Sequence, residues 1–273
     1  MIEILENLNV LSLLRNPEEF YGDPNVNYLV KFKDFIVSLI GKSEEKLPED
    51  GVVILEHSFI EAKKLMDKIN DLAQQVIADA KKYDDKEFCQ EYFELAKEGY
   101  RMLDKYEPKG VPVSLERAGL VTTRLALGLD KDVVIENEQR VVTKRTHLKS
   151  EPEKYLSVTV KWRDQAKLKE INSREVLLSD FVNPASGASG LAFILAAKKL
   201  GIKPTQVNHR SISCTRQGII LVKKVLEEMG IKASFYSLGE ARQLNEMYYL
   251  TGKRAVADAG HMLRHFLPLW YKQ

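Results

Sequence analysis

The sequence predicts an α/β protein: a mainly parallel sheet flanked by helices, with an added helical region in front of it. Three observations carry that prediction. From Val111 onward, short β-rich runs alternate with amphipathic helical runs, the pattern of strands joined by crossover helices. Before that point the apolar side chains recur mostly at helical spacing. Finally, a turn of small residues at 183–190 joins a predicted strand to a predicted helix. Sheets of this kind bind ligands at the carboxyl ends of their strands.

Taken in chain order, Asp23-Pro24 opens a segment whose apolar positions (Tyr28, Leu29, Phe32, Phe35, Ile36 and Leu39) predict a helix closed by Gly41. Gly51–Leu55 reads as a short strand. A long amphipathic helix is expected over Phe59–Tyr83 and a second over Asp85–Tyr106. Their aromatic stripes suit core or oligomer packing. The texture changes at Glu107-Pro108-Lys109-Gly110, which sets the expected organisation: 1–107 a mostly helical N-terminal region, 108–273 an α/β core. Strands are expected at Val111–Leu115, Asp132–Glu136, Tyr155–Val160, Glu175–Phe181, Gln206–Cys214 and Lys232–Leu238. Helices are expected at Ser189–Leu200 and Arg216–Met229.

Composition narrows the class. Hydrophobic residues at 44% and charged residues at 29% in 273 residues describe a globular protein with material for a core. A formal charge of +2 gives no ground for nucleic-acid binding. No apolar run is long enough to span a membrane, and the acidic start Met1–Glu6 lacks a signal peptide's basic and apolar regions. Cys89 and Cys214 lack metal-type spacing and read as buried thiols of a reducing, cytoplasmic setting, although a pairing between them stays open. Dense, interspersed Lys and Glu fit a thermophilic source.

The chemistry concentrates in Asn183-Pro184-Ala185-Ser186-Gly187-Ala188-Ser189-Gly190. Small residues let the backbone wrap an anion, and amide groups at the start of a helix bind phosphate. No Gly-Lys-Ser/Thr follows, so this is not a Walker loop. Read alone, the segment serves equally well as a tight turn with an N-cap. His261 and His265 share a helical face, but no third metal ligand accompanies them, so no protein metal site is expected. Neither Asn172-Ser173-Arg174 nor Cys214-Thr215-Arg216 assembles a triad.

Several segments together resemble the uracil phosphoribosyltransferases, of the type I phosphoribosyltransferase family. Ala185-Ser186-Gly187-Ala188-Ser189 is similar to the family's Ala-Thr-Gly-Gly-Ser, which holds the 5′-phosphate of phosphoribosyl pyrophosphate. Val111-Pro112-Val113-Ser114-Leu115-Glu116-Arg117-Ala118-Gly119-Leu120 is similar to its Val-Pro-Ile-Leu-Arg-Ala-Gly-Leu, with two more residues before the arginine. Leu244-Asn245-Glu246, Tyr249-Leu250 and Ala257-Asp258-Ala259-Gly260 resemble its uracil pocket, and Val141–Arg145 occupies the place of a strand ending in a pyrophosphate-binding arginine. The resemblance covers roughly the last 160 residues and implies a phosphoribosyltransferase-like core.

It also implies roles. Arg117 and Arg145 would neutralise pyrophosphate, because guanidinium forks match phosphate oxygens and stay charged. Asp180 would meet the ribose hydroxyls, although it stands one residue earlier than the family's acidic residue. Ala185, Ser186, Gly187, Ala188 and Ser189 would hold the phosphate, and Tyr249, Leu250, Asp258, Ala259 and Gly260 the base. Mg2+ would arrive on the pyrophosphate and keep several waters.

The sequence also departs from the family. Ala188 replaces the loop's second glycine and Ser186 its threonine. Thr251–Ala257 replaces Pro-Gly-Leu-Gly, and His261 stands where an aspartate follows Asp-Ala-Gly. Two readings therefore stand side by side. One is an active enzyme that takes phosphoribosyl pyrophosphate and a pyrimidine-like base, uracil to UMP, in nucleotide salvage. The other is a catalytically inactive relative with a structural, assembly or binding role, including a virion protein of a thermophilic system. Either suits a homo-oligomer, dimer or tetramer.

Overall fold

A computed structural model describes residues 2–6, 28–33, 46–107, 109–115, 118–129, 134–147, 155–182, 184 and 187–241. In chain order the elements are strands β1 (Ile2–Glu6), β2 (Tyr28–Lys33) and β3 (Val52–Ile54), then helices α1 (Ile60–Ala78) and α2 (Lys86–Met102). Strand β4 (Val111–Leu115), helix α3 (Ala118–Ala126), and strands β5 (Gln139–His147) and β6 (Tyr155–Trp162) follow. The chain continues through β7 (Glu175–Val182), α4 (Ala188–Lys199), β8 (Gln206–Cys214), α5 (Arg216–Glu228) and β9 (Lys232–Glu240).

The described strands form one sheet in the order β1-β2-β6-β5-β4-β7-β8-β9-β3. The pairs from β5 through β4, β7, β8 and β9 to β3 are parallel, while β1-β2, β2-β6 and β5-β6 are antiparallel. The expected α/β architecture, mainly parallel and flanked by helices, is present. Three of the five parallel pairs are consecutive strands joined by a crossover helix: β4-α3-β5, β7-α4-β8 and β8-α5-β9.

Both faces are covered, as a parallel sheet requires. Val111, Val113, Leu115, Val176, Leu178 and Phe235 bury against α4 and α5. Phe181, Ile212 and Leu238 bury against α1, α2 and α3. Helix α4 is the most enclosed: Gly190 through Ala197 are all buried, which suits a helix apolar on every side. Helices α1 and α2 show the opposite logic, with one apolar stripe on the sheet and charged residues outward.

Local chemistry sets the helix boundaries. The helix expected over Phe59–Tyr83 stops at Ala78, because Asp79 turns extended and its carboxylate accepts the Lys81 amide at 3.0 Å, starting a 3₁₀ turn. Asp85 then caps α2, accepting from Glu87 N at 2.9 Å and Phe88 N at 3.2 Å.

Two sequence expectations are corrected. Tyr28–Lys33 is a strand, not part of a helix, and it pairs with β1 on one side and β6 on the other. Ladder bonds along both edges satisfy the backbone of a Tyr-Leu-Val-Lys-Phe-Lys run that β-favouring residues already suit. The strand expected at Asp132–Glu136 begins only at Gln139. Asn137 adopts φ 64° in a turn, and Val134 before it is 73% exposed; a left-handed residue cannot continue a strand.

Two buried arginines tie the layers together. Arg124 of α3 meets Glu138 through two hydrogen bonds, Nη1–Oε1 at 2.9 Å and Nη2–Oε2 at 3.2 Å, and the Ser114 hydroxyl donates to the same carboxylate. Arg210 of β8 donates to the Ala126 carbonyl at 2.6 Å, to the Tyr100 carbonyl at 3.0 Å and to the Asp104 carboxylate at 2.8 Å. A cation there satisfies carbonyls at the ends of α2 and α3, where the helix dipoles favour positive charge. Burial pulls the Arg210 pKa down, against the pull of Asp104. Cys89 and Cys214 are separate buried thiols. No helix among the described residues is long and apolar enough to cross a membrane.

Candidate functional site

The parallel half of the sheet aligns the carboxyl ends of β4, β7, β8, β9 and β3 along one edge. That edge is where an α/β sheet gathers ligand-binding groups. Strand β7 carries Asp180 to it. Asp180 lies on the same face as Val176 and Leu178, by the two-residue alternation of the strand. Its Oδ1 accepts the Phe181 amide at 2.7 Å, and its carbonyl accepts the Tyr100 hydroxyl at 2.9 Å. Burial, and next the Asp180 charge, push the Tyr100 phenol well above its usual range, so it serves as a neutral donor.

From Val182 the chain turns over the end of β8. The Pro184 carbonyl accepts the Thr215 amide at 2.9 Å, which pins the turn to the start of α5. Gly187 is the N-cap of α4 at φ 72° and ψ −7°. A Cβ there would stand 2.2 Å from Val222 Cγ2, so both the left-handed backbone and the approach of α5 demand glycine. Ala188 is buried and Ser189 half-buried in the first turn of α4. Helices α4 and α5, which both start on this edge, differ in their caps. The Thr215 hydroxyl accepts the Gly218 amide at 2.9 Å and closes α5 internally, whereas Gly187 offers α4 no capping side chain.

Arg145 lies on β5, two strands from β7. Strand β5 pairs with β4 only through Gln139–Val141, with Leu115 opposite Val141. Arg145 therefore stands four residues beyond that pairing, about 13 Å past it along the strand. Its cross-strand neighbour is Val158, and it is half-buried. The structure thus gathers Asp180, Gly187, Ala188 and Ser189 on one strand–turn–helix unit, with Arg145 on an overhanging rim of the same edge. Arg117, Ala185, Ser186, Tyr249, Leu250, Asp258, Ala259 and Gly260 lie outside the described residues.

A second group of polar residues occupies the far end of the edge, and sequence reasoning did not find it. Glu240, the last residue of β9, accepts from Arg216 Nη2 at 3.1 Å, and His57 Nε2 lies 3.0 Å from the same oxygen. Glu56 accepts the Glu240 amide. The four residues come from the 3₁₀ turn after β3, the end of β9 and the first position of α5. Positions 56, 216 and 240 carry no common sequence signal; only the β8-β9-β3 pairing assembles them.

Other titratable groups are better described as structural. Burial alone lowers His209 to about 3, so its imidazole stays neutral, stacked on Phe235 with ring centroids 4.8 Å apart. Burial raises the Cys214 thiol to about 12, which removes it as a nucleophile near neutral pH. Among the described residues, no group of three His, Cys, Asp or Glu side chains is placed to hold a metal ion.

No protein-family model matches the chain, and no curated protein sequence matches it either. Among solved structures, the chain is similar to the APRTase of Giardia lamblia in complex with 9-deazaadenine, with a TM-score of 0.32 and 11% identity. That alignment covers 62% of this chain and 85% of the other. The functional reading therefore has to come from the residues of this chain.

Proposed function

We propose that this chain is a phosphoribosyltransferase-like protein that binds phosphoribosyl pyrophosphate at the carboxyl edge of its sheet and transfers the phosphoribosyl group to a pyrimidine-like base, uracil to UMP. The observation that carries the reading is Gly187. A left-handed glycine between β7 and α4, with no room for a Cβ and no cap of its own, supports a turn shaped to present the start of α4 to an anion. On this reading Ala185–Ser189 hold the 5′-phosphate. Arg117 and Arg145 neutralise the pyrophosphate leaving group, whose charge grows as the C1′–O bond breaks. Asp180 stands at the entrance to the turn to meet the ribose hydroxyls, and Tyr249, Leu250 and Asp258–Gly260 hold the base.

Magnesium bound to pyrophosphate keeps most of its waters and asks for few protein ligands. Asp180 is the carboxylate at the entrance to this turn that fits such a role. The bound ion would supply charge neutralisation on the leaving group. A homo-oligomer in the cytoplasm belongs to the same proposal.

Calorimetry of the full chain with phosphoribosyl pyrophosphate and magnesium tests the reading, followed by an assay of pyrophosphate release on adding uracil. Heat of binding and uracil-dependent release are the expected results. No heat at millimolar ligand overturns the proposal. Binding with no release under any base selects the inactive relative, which the altered residues at 251–257 and His261 would explain.

A further inference from the structure

We infer that Tyr100 is a positioning residue that acts through Asp180. Its hydroxyl holds the peptide unit between Asp180 and Phe181 turned out of the sheet, and the amide of that unit orients the Asp180 carboxylate. The ribose-binding role of Asp180 is taken from the phosphoribosyl-transfer reading above, on which the inference rests.

The end of β7 departs from a regular ladder at one row. Its register with β8 is continuous from Glu175↔Gln206 to Asp180↔Ser211 and resumes at Val182↔Ser213, leaving out Phe181 and Ile212. Strands β8 and β9 leave out the same row, between Ser211↔Ser237 and Ser213↔Gly239. On its other side, the pairing of β7 with β4 ends at Leu178. Both polar groups of the 180–181 peptide instead meet side chains. The Asp180 carbonyl accepts the Tyr100 hydroxyl at 2.9 Å, and the Phe181 amide donates to Asp180 Oδ1 at 2.7 Å. A trans peptide is planar, with its C=O and N–H opposed. Tyr100 lies on the α1–α3 side of the sheet, whereas the Asp180 side chain, two residues on from Leu178, lies on the α4–α5 side. The peptide unit therefore stands across the sheet, its carbonyl toward α2 and its amide toward the carboxylate.

The support beneath this unit is rigid. Tyr100 is 1% exposed in the last turns of α2, and its own carbonyl accepts Arg210 Nη2 at 3.0 Å. Tyr92, about two turns earlier on α2, stacks on the Phe181 ring with centroids 4.8 Å apart. The Thr122 hydroxyl of α3 donates to the Ser179 carbonyl at 3.2 Å. Phe181 is thus gripped by α2 twice, through its ring and through the peptide before it. Without the Tyr100 hydroxyl, the Asp180 carbonyl loses the donor that draws it toward α2, and the peptide rotates toward the β8 ladder. That rotation carries the Phe181 amide away from Oδ1. The carboxylate then loses a charge-assisted hydrogen bond and its fixed direction, and a misaligned carboxylate holds its ligand less well.

The test is the Kd of phosphoribosyl pyrophosphate with magnesium, measured by calorimetry on the full chain, Y100F, D180A and the Y100F/D180A double variant. Y100F keeps the ring and removes one oxygen. It should weaken binding by about 10-fold, the worth of one hydrogen bond to a charged group, and D180A by as much or more. The double variant should bind no more weakly than D180A, because Tyr100 acts through a carboxylate that is gone. A merely structural role would give losses that multiply. Hydrogen exchange adds a second readout: protection of the Phe181 amide should fall in both single variants while that of Leu178 holds. Wild-type affinity in Y100F or in D180A, or losses that multiply, overturns the role of Tyr100 and leaves the phosphoribosyl reading standing. No binding by the wild type overturns both. If Y100F does not fold, the Phe181 amide decides: protection in D180A equal to wild type overturns the oriented carboxylate.

Discussion

Gly187→Ala is the most informative single substitution. Its cost has two parts that the structure separates. The backbone part comes from φ 72°, which an L side chain adopts at about 1–2 kcal/mol. The steric part comes from the new Cβ at 2.2 Å from Val222 Cγ2, an overlap that forces α5 or the turn to move and costs about 1–3 kcal/mol more. The sum, about 2–5 kcal/mol, corresponds to a fall in Tm of about 4–10 °C at roughly 2 °C per kcal/mol for a chain of this size. Gly128 is the control, since it has φ 69° with nothing within 4 Å of its Cβ position. Gly128→Ala should therefore show only the backbone part, about 1–2 kcal/mol. Thermal melts of both variants, with Val222→Ala and the Gly187→Ala/Val222→Ala double variant, complete a cycle. A favourable coupling of about 0.5–3 kcal/mol is expected once the Val222 methyls are gone. Identical melts for the two glycine variants, or a cycle with no coupling, would refute the close approach of α5 to the turn. The same variant probes function, because phosphoribosyl pyrophosphate with magnesium should raise the Tm of the wild type and of Gly128→Ala, but not that of Gly187→Ala.

Two further predictions concern the buried polar groups. Arg124→Met leaves Glu138 buried with the Ser114 hydroxyl but without its guanidinium, which should cost about 3–5 kcal/mol in denaturant unfolding. Arg124→Met/Glu138→Met should recover most of that loss, and a double variant as unstable as the single one would show that the pair does more than neutralise itself. His209 titrates near 3 folded, against about 6.5 unfolded, so the unfolded state binds the extra proton between those values. Its stabilising effect is complete above pH 6.5 and is lost as pH falls, by about 1.4 kcal/mol per pH unit down to pH 3. His209→Phe, which keeps an aromatic ring beside Phe235, should flatten the stability profile in that window, and an unchanged slope would rule His209 out as its source.

Much of the α/β half was legible in the residues. The strand at Val111–Leu115 and the strand at Gln206–Cys214 match their expected bounds, and β7, β9, α4 and α5 match within one or two residues. Such runs are apolar because both sheet faces are covered, so composition and burial agree. Failures came where local pattern and tertiary demand diverge. The spacing of Tyr28, Leu29 and Phe32 satisfies a helix and a strand alike, and pairing with β1 and β6 settles it. At Asp132–Glu136 the β-favouring Val133-Val134-Ile135 gave no hint that Asn137 would turn the chain before β5.

The candidate site divides along the same line. Residues adjacent in sequence, Asp180 through Ser189, reveal themselves because a strand, a small-residue turn and a helix are written consecutively. Their chemistry depends on local backbone geometry, and a left-handed glycine is a local property. What only the tertiary structure decides is which distant side chains meet. The contacts of Glu240 with His57 and Arg216 need β3 to enter the sheet beside β9, nearly 200 residues later in the chain. Likewise, Arg210 finds Asp104 and the carbonyls of Tyr100 and Ala126 only after α2 and α3 have docked on the sheet. Alternation and turn chemistry act over a few residues, whereas hydrogen-bond partners across the sheet depend on strand order, which no local pattern encodes.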